Sequence, residues 1–240
     1  MKIIIIAGGL GTRIAEETED KPKPMVLIND KPIIWHLMNI FCVQGFNEFI
    51  ISTGYKSEVI ENWVKNNKIQ DSNSNLIKIQ TINTGLNTQT GGRISEVMKT
   101  LPSEKVIATY GDGLANISVK NLLAFHNSHG KMATVTAVRP PARFGYMKID
   151  ENKVTHFGEK NQSDEGWING GFFVLEPNVN DYIKSVDEPF ESGALVRLAK
   201  ESQLMAYHHE GFWQPMDTLR EKRELEKEAL LETPPWLNLI

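Results

Sequence analysis

Cysteine is almost missing from this 240-residue chain: Cys42 stands alone, which excludes an internal disulfide and any metal site built from several thiolates. It lies among Ile40, Phe41 and Val43, so it reads as a small buried hydrophobe rather than a nucleophile. No apolar run reaches the length that spans a bilayer, and the short N-terminal one lacks a leader's cleavage pattern. The expectation is therefore a protein of the reducing cytoplasm with no membrane partner. A basic excess is missing too. Acidic residues outnumber basic ones by 30 to 26 and neither sign forms a block, which argues against a nucleic-acid partner. With no linker, repeat or low-complexity tract, residues 1–240 suit one α/β domain with room for a full core.

What is present starts at the first residues. Ile3 to Ile6 form an unbroken aliphatic run, which predicts a strand buried on both faces. It empties into the turn Gly8-Gly9-Leu10-Gly11-Thr12-Arg13, whose glycines let consecutive N–H groups turn inward around an anion. Arg13 adds a planar cation, and Lys21 and Lys23 return two more in a segment held extended by Pro22 and Pro24. The turn matches neither the dinucleotide G-x-G-x-x-G pattern nor the P-loop, so alone it signals an anion and nothing narrower.

The chain then alternates. Helices are predicted after Lys31-Pro32, over 57–66, from about Arg93 to Thr100, and over Asn121 to His129, with Gly45 and Gly130 as stops. Strands are predicted at Phe49 to Thr53, Leu76 to Ile82, Lys105 to Thr109 and Ala133 to Val138. Parallel strands of this kind place ligands at their carboxyl ends, where Gly8 to Arg13, the loop 84–93 and Gly111 to Gly113 all emerge. Tyr146 to Ile149 and Val154 to Phe157 alternate around Asp150-Glu151-Asn152, a hairpin that should add antiparallel strands to the sheet. Later come a strand at Phe172 to Leu175, helices near 179–184 and 194–201, a strand at 204–208 and a charged helix over 219–231.

Two aspartates are candidates for a hard cation. Asp112 sits open between glycines at a strand end, although an ordinary Asp-Gly turn explains it equally well. Asp217 follows Phe212, Trp213, Pro215 and Met216, a run costly to expose without purpose, although it reads equally as the cap of the last helix. His126 and His129, three apart in a helix's last turn, read as dipole partners rather than metal ligands.

Taken in order, Ile6-Ala7-Gly8-Gly9-Leu10-Gly11-Thr12-Arg13, KPKPM at 21–25, KPIIWH at 31–36, TGGR at 90–93, YGDG at 110–113, FGYMKID at 144–150, INGGFFVLEP at 168–177 and GFWQPMDTLR at 211–220 resemble the glucose-1-phosphate cytidylyltransferases over nearly the whole chain. The resemblance implies an α/β, Rossmann-like nucleotidyltransferase fold: a mixed, mostly parallel central sheet flanked by helices. It implies an Mg²⁺-dependent reaction of CTP with a sugar 1-phosphate or similar phosphate, giving a CDP-linked product and pyrophosphate. Residues 1–115 would form a nucleotide-binding part, and 116–240 an acceptor-binding part with the C-terminal helix. Ala7, Gly8, Gly9, Gly11, Thr12, Arg13, Thr88, Arg93 and Gly111 would hold the nucleotide. Arg13, Lys23, Asp112 and Asp217 would carry catalysis, with the two aspartates on the metal, and Tyr146, Glu159, Lys160, Asn169 and Gly170 would face the acceptor. Attack by an already ionised phosphate needs positioning and charge neutralisation, not a general base.

The chain also departs from that family. The stretch between the 57–66 helix and Thr84 is shorter than in relatives, where it contributes to subunit contacts, which leaves a homo-oligomer open. Asn161 replaces a proline, Gly193-Ala194-Leu195 replaces an acidic-proline-leucine segment, and Tyr146 replaces a small residue. These changes fall on the acceptor half, so another sugar or polyol phosphate stays open as substrate. Uridylyl or thymidylyl transfer and a non-catalytic nucleotide-binding subunit are the remaining alternatives.

Overall fold

A computed structural model describes residues 1–140, 145–159 and 166–239. Its frame is a seven-stranded sheet of β1 (Ile3–Ile6), β4 (Glu48–Thr53), β5 (Lys78–Asn83), β6 (Val106–Tyr110), β8 (Ala133–Val138), β11 (Ile168–Leu175) and β12 (Leu204–His209), in the order β12-β8-β11-β6-β1-β4-β5. β1 runs parallel to both its neighbours, β4 and β6, and β5 continues parallel from β4, while β12 is parallel to β8. Only β11 runs against its partners, β6 and β8. The expected mixed, mostly parallel sheet is the one observed.

The four isoleucines of β1 show why an unbroken aliphatic run was needed. Ile3 and Ile5 join the core on one face, with α2 (Ile33–Cys42), α5 (Val119–His129) and α7 (Leu219–Glu228), while Ile4 and Ile6 join the core on the other, with α4 (Thr90–Met98) and α6 (Ala194–Lys200). Alternate residues of a strand face opposite ways, so a strand covered by helices on both sides has no polar side to spare. Each such side chain contributes about 1.5–3 kcal/mol by leaving water. Cys42 is buried on α2, where burial pushes its thiol pKa up to about 12. The helix α3 (Ser57–Asn66) occupies the span expected for it.

Three of the departures from expectation have a tertiary reason. Pro32 caps α2 rather than opening it, because Lys31–Pro32 (β3) pairs with Leu27–Ile28 (β2). Helix α4 starts at Thr90, three residues early: the amides of Gln89 and Gly91 donate to the carbonyls of Val186 and Glu188, so a distant strap caps the helix start. The hairpin β9 (Gly145–Asp150) and β10 (Lys153–Glu159) forms its own two-stranded sheet instead of extending the central one. The antiparallel member of the central sheet is β11, which reaches back to Ile168 through a register shift between Asn169 and Phe173. No helix among the described residues is long and apolar enough to cross a membrane.

Candidate active site

The carboxyl end of the sheet opens into a cavity of about 1020 Å³. It sits where chain order reverses, between β1 and β6, since β4 and β5 follow β1 on one side while β6 lies on the other. Gly9, Gly11, Thr12 and Arg13 line it from the loop after β1, Thr88 and Arg93 from the segment after β5, and Gly111 and Asp112 from the end of β6. Asn169, Gly170 and Trp213 close the far wall.

In the loop, the N–H groups of Gly8, Gly9, Leu10 and Gly11 donate to no protein acceptor among the described residues. Of these residues Gly9 and Gly11 line the cavity, and successive free amides at a strand end suit an anion. Ala7 and Gly111 differ, although both line the cavity: the amide of Ala7 donates to the Ser52 carbonyl at 2.9 Å, and that of Gly111 to the Ile6 carbonyl at 3.0 Å. Their place is to hold the loop ends.

Arg93 explains the loop's shape. It is buried, and its guanidinium donates to the carbonyls of Thr53 (2.9 Å), Gly8 (2.9 Å) and Leu86 (3.3 Å) and to the Thr84 hydroxyl (2.7 Å). Burial lowers its pKa. A Cβ on Gly8 would meet Arg93 Nη1 at 2.0 Å, so glycine is required there for close approach of this side chain. The resemblance assigned Arg93 to the nucleotide; the structure commits its donors to three loops that frame the cavity. Thr88 is similarly engaged, its hydroxyl donating to the Thr84 carbonyl.

The two distant aspartates meet. After β6, the short strand β7 (Gly113–Ala115) pairs antiparallel with β13 (Trp213–Pro215), and the Met216 amide donates to the Asp112 carbonyl at 2.8 Å. That pairing delivers Asp217 to Asp112 across 105 residues of chain, counted as 217 minus 112. Asp217 is not the cap of α7; Thr218 is, in a capping box with Glu221. The Asp217 carboxylate is thereby left for the cavity, which it lines.

Lys23 Nζ lies 2.6 Å from Asp112 Oδ2 and 2.6 Å from Asp217 Oδ1, and Arg13 Nη1 lies 2.6 Å from Asp217 Oδ2. The two carboxylates thus converge on a single cation position. Lys23 is only 7% exposed. Burial works against its charge, but the two carboxylates outweigh it and its pKa is raised. Arg13 is mostly exposed, free to turn toward an incoming anion. Lys21 is not among the residues that line the cavity and lies 3.6 Å from Asp20. Two carboxylate oxygens facing one point fit a hard divalent cation that completes its shell with waters and phosphate oxygens. No cluster of three or more His, Cys, Asp or Glu side chains suited to a metal occurs among the described residues.

On the far wall, Asn169 Oδ1 accepts from the Gly171 amide (2.8 Å) and its Nδ2 donates to the Tyr110 hydroxyl (3.1 Å). Gly170 contributes its carbonyl to Trp213 Nε1 at 2.8 Å. Tyr146 falls on β9 and Glu159 on β10, opposite Gly145, while Lys160 lies outside the described residues. Among the polar cavity residues given no role of their own from the sequence are Tyr110, Gln89, Thr90 and Glu191. Tyr110 was quoted only as the residue before Gly111, and nothing in the sequence marks Glu191, which reaches the cavity through the strap over α4.

His126 and His129 lie away from the cavity. Both contact the Thr134 hydroxyl at 2.8 Å, and His126 Nε2 lies 3.1 Å from Glu176 Oε1. Burial lowers the pKa of each.

Residues 2–218 match the family described as nucleotidyl transferase. The chain is 43% identical over 253 residues to glucose-1-phosphate cytidylyltransferase of Salmonella typhi, covering 98% of each protein. Among solved structures it superposes with TM-score 0.70 on HddC from Yersinia pseudotuberculosis complexed with GMP-PN, 25% identical and covering 95% of this chain and 99% of that one. It superposes equally, at 18% identity, on UDP-glucose pyrophosphorylase complexed with UDP-glucose, covering 95% and 97%, a likeness of fold.

Proposed function

The chain belongs to the glucose-1-phosphate cytidylyltransferases within the nucleotidyl transferase family, and on that premise we propose that it joins CTP and glucose 1-phosphate to give CDP-glucose and pyrophosphate. An oxygen of the acceptor phosphate attacks the α-phosphorus of CTP. As that P–O bond forms, the bond to the β-phosphate bridging oxygen breaks and its electron pair leaves with pyrophosphate. The barrier is the approach of two anions, so the work is positioning and neutralisation.

The observation that carries this reading is the convergence of unlike groups on one cavity: the loop residues Gly9 and Gly11, whose amides have no protein partner among the described residues, Arg13, Lys23 and the paired carboxylates of Asp112 and Asp217. The amides of Gly8 to Gly11, with Thr12 and Arg13, would hold the triphosphate. Lys23 would shift from the carboxylates to the reacting phosphates. Asp112 and Asp217 would hold Mg²⁺, which when bound withdraws charge from the phosphate oxygens. Ala7, Gly111, Thr88 and Arg93 would shape the nucleotide wall, and Asn169, Gly170, Tyr146, Glu159 and Lys160 would form the acceptor wall. In this division residues 1–115 bind the nucleotide and 116–240 supply the acceptor side and the second carboxylate.

Pyrophosphate release tests it, with CTP against UTP and glucose 1-phosphate against other sugar and polyol phosphates. CTP with glucose 1-phosphate should give the highest kcat/KM. Binding of CTP without pyrophosphate from any acceptor would leave only a nucleotide-binding subunit.

A further inference from the structure

The carboxylate of Glu191 lines the cavity and has no part in the chemistry above. Its Oε1 accepts from the Tyr110 hydroxyl, and its Oε2 accepts from the Thr90 hydroxyl at 2.7 Å. Thr90 in turn accepts from the Phe190 amide at 2.8 Å, at the first residue of α4. A carboxylate only accepts, so Tyr110 spends its single hydrogen on Glu191 and must receive, through its oxygen, the Nδ2 hydrogen of Asn169. The Gly171 amide fixes Asn169 Oδ1, so the orientation of the amide follows from the chain of bonds and not from choice. Burial and the neighbouring Glu191 carboxylate raise the Tyr110 pKa, which keeps the phenol protonated.

The consequence is directional. Every polar atom in the relay from Thr90 to Asn169 has one assigned role, and what is left over is the second Nδ2 hydrogen of Asn169. It has no protein acceptor among the described residues and belongs to a residue on the cavity wall. Were Glu191 absent, the Tyr110 hydrogen would lose its acceptor and could turn toward Asn169 Nδ2, setting donor against donor, so that only the Gly171 amide would still hold Asn169 and its free N–H would lose its fixed direction.

We propose that Glu191 is a positioning residue which, through Tyr110, holds Asn169 with an N–H donor facing the acceptor, so that this wall selects a phosphate whose ring carries a hydroxyl at that point. The inference rests on the cytidylyltransferase reading for its substrate class. It adds a residue that touches no reacting atom but sets the specificity of one that faces the acceptor.

The test uses the full chain and the variants Glu191→Ala, Glu191→Gln and Tyr110→Phe, with glucose 1-phosphate and its 2-, 3-, 4- and 6-deoxy analogues. Binding of each is measured by calorimetry and turnover by pyrophosphate release. One deoxy analogue should lose about 10-fold or more with the wild type, the cost of leaving the Asn169 donor unpaired once the acceptor covers it. Glu191→Ala and Tyr110→Phe should raise the KM and Kd for glucose 1-phosphate about 10-fold, level the deoxy series and leave the KM for CTP within about 2-fold. Glu191→Gln keeps an acceptor for Tyr110 and should restore most of the discrimination. Equal losses for CTP and acceptor, or an unchanged deoxy series in Glu191→Ala, would overturn the proposal. Binding without turnover in the wild type would sink the cytidylyltransferase reading alone, since the calorimetric series still judges Glu191. Absence of acceptor binding by the wild type would sink both.

Discussion

The two walls of the cavity present different parts of the chain. The wall after β1 offers main chain: the loop Gly8 to Gly11, whose amides have no protein partner among the described residues, held in place from behind by the buried guanidinium of Arg93. The opposite wall offers side chains, Asn169, Tyr110 and Glu191, whose orientations depend on one another. A backbone nest recognises any phosphate and tolerates change in side chains that point elsewhere. A side-chain relay reads one hydroxyl and fails when any member is lost.

Between the walls lie Asp112 and Asp217, which the proposed mechanism places on the metal, so their loss should cost most. Asp112→Asn and Asp217→Asn should each lower kcat at least about 10²–10³-fold, the usual effect of removing one charge-stabilising contact. Pyrophosphate release at saturating substrates checks this, and a fall confined to KM would show that the carboxylates act in binding alone.

Arg93→Ala tests the main-chain wall from behind. It removes the charged donor from the carbonyls of Gly8, Thr53 and Leu86, leaving Gly8 the amide of Tyr55 and Thr53 the amide and hydroxyl of Thr84, and each hydrogen bond to a charged group contributes about 1.5–3 kcal/mol. A fall of about 3 kcal/mol or more in unfolding free energy is expected in urea melts, together with a raised KM for CTP. Unchanged stability would mean that water replaces the guanidinium.

Gly171→Ala strikes the side-chain wall. Gly171 has φ of +80°, and a Cβ there would meet the Tyr110 ring at 2.5 Å. The variant should raise the acceptor KM several-fold more than the KM for CTP, the reverse of Arg93→Ala; matching changes in both would erase the distinction between the walls.

The scaffold beneath is expected to weaken in mild acid. Burial lowers the pKa of His36, His126, His129 and His209, so the folded state resists protonation that the unfolded chain accepts below its pKa of about 6.5. Stability is therefore full above that pH and is lost as pH falls through it toward the lowered folded values. Urea midpoints at pH 7.5 and pH 5.5 report the loss, and His126→Asn should reduce the difference. The smallest effect is expected at Arg220→Ala. Its partner Glu224 is one helical turn away on an exposed face, so stability should change by no more than about 0.5 kcal/mol.

Much of this was legible in residue order. The four isoleucines of β1, the glycine turn after them and the helix at 57–66 follow from local periodicity and stand where expected. Asp112 and Lys23 were recognisable as charges beside glycine and proline turns. What could not be read was which side chains are spent on the protein itself. Arg93 looks like any cation in a glycine-rich loop, yet its donors are consumed by carbonyls that lie apart in sequence. Thr88 is engaged in the same way. Glu191 carries no signal at all, because its position depends on a strap whose carbonyls cap a helix begun a hundred residues earlier.

The sequence by itself determined the alternating strands and helices and the glycine turn suited to an anion, since each depends on periodicity or backbone freedom within a few residues, and it marked Asp112 and Asp217 as candidate metal carboxylates. The tertiary structure alone decided that β13 pairs with β7 and so brings Asp217 to Asp112 and Lys23, and that Glu191 reaches Tyr110. Those contacts join residues about 80 to 195 apart in the chain, and they form only when the packed core offsets the entropy of closing such loops.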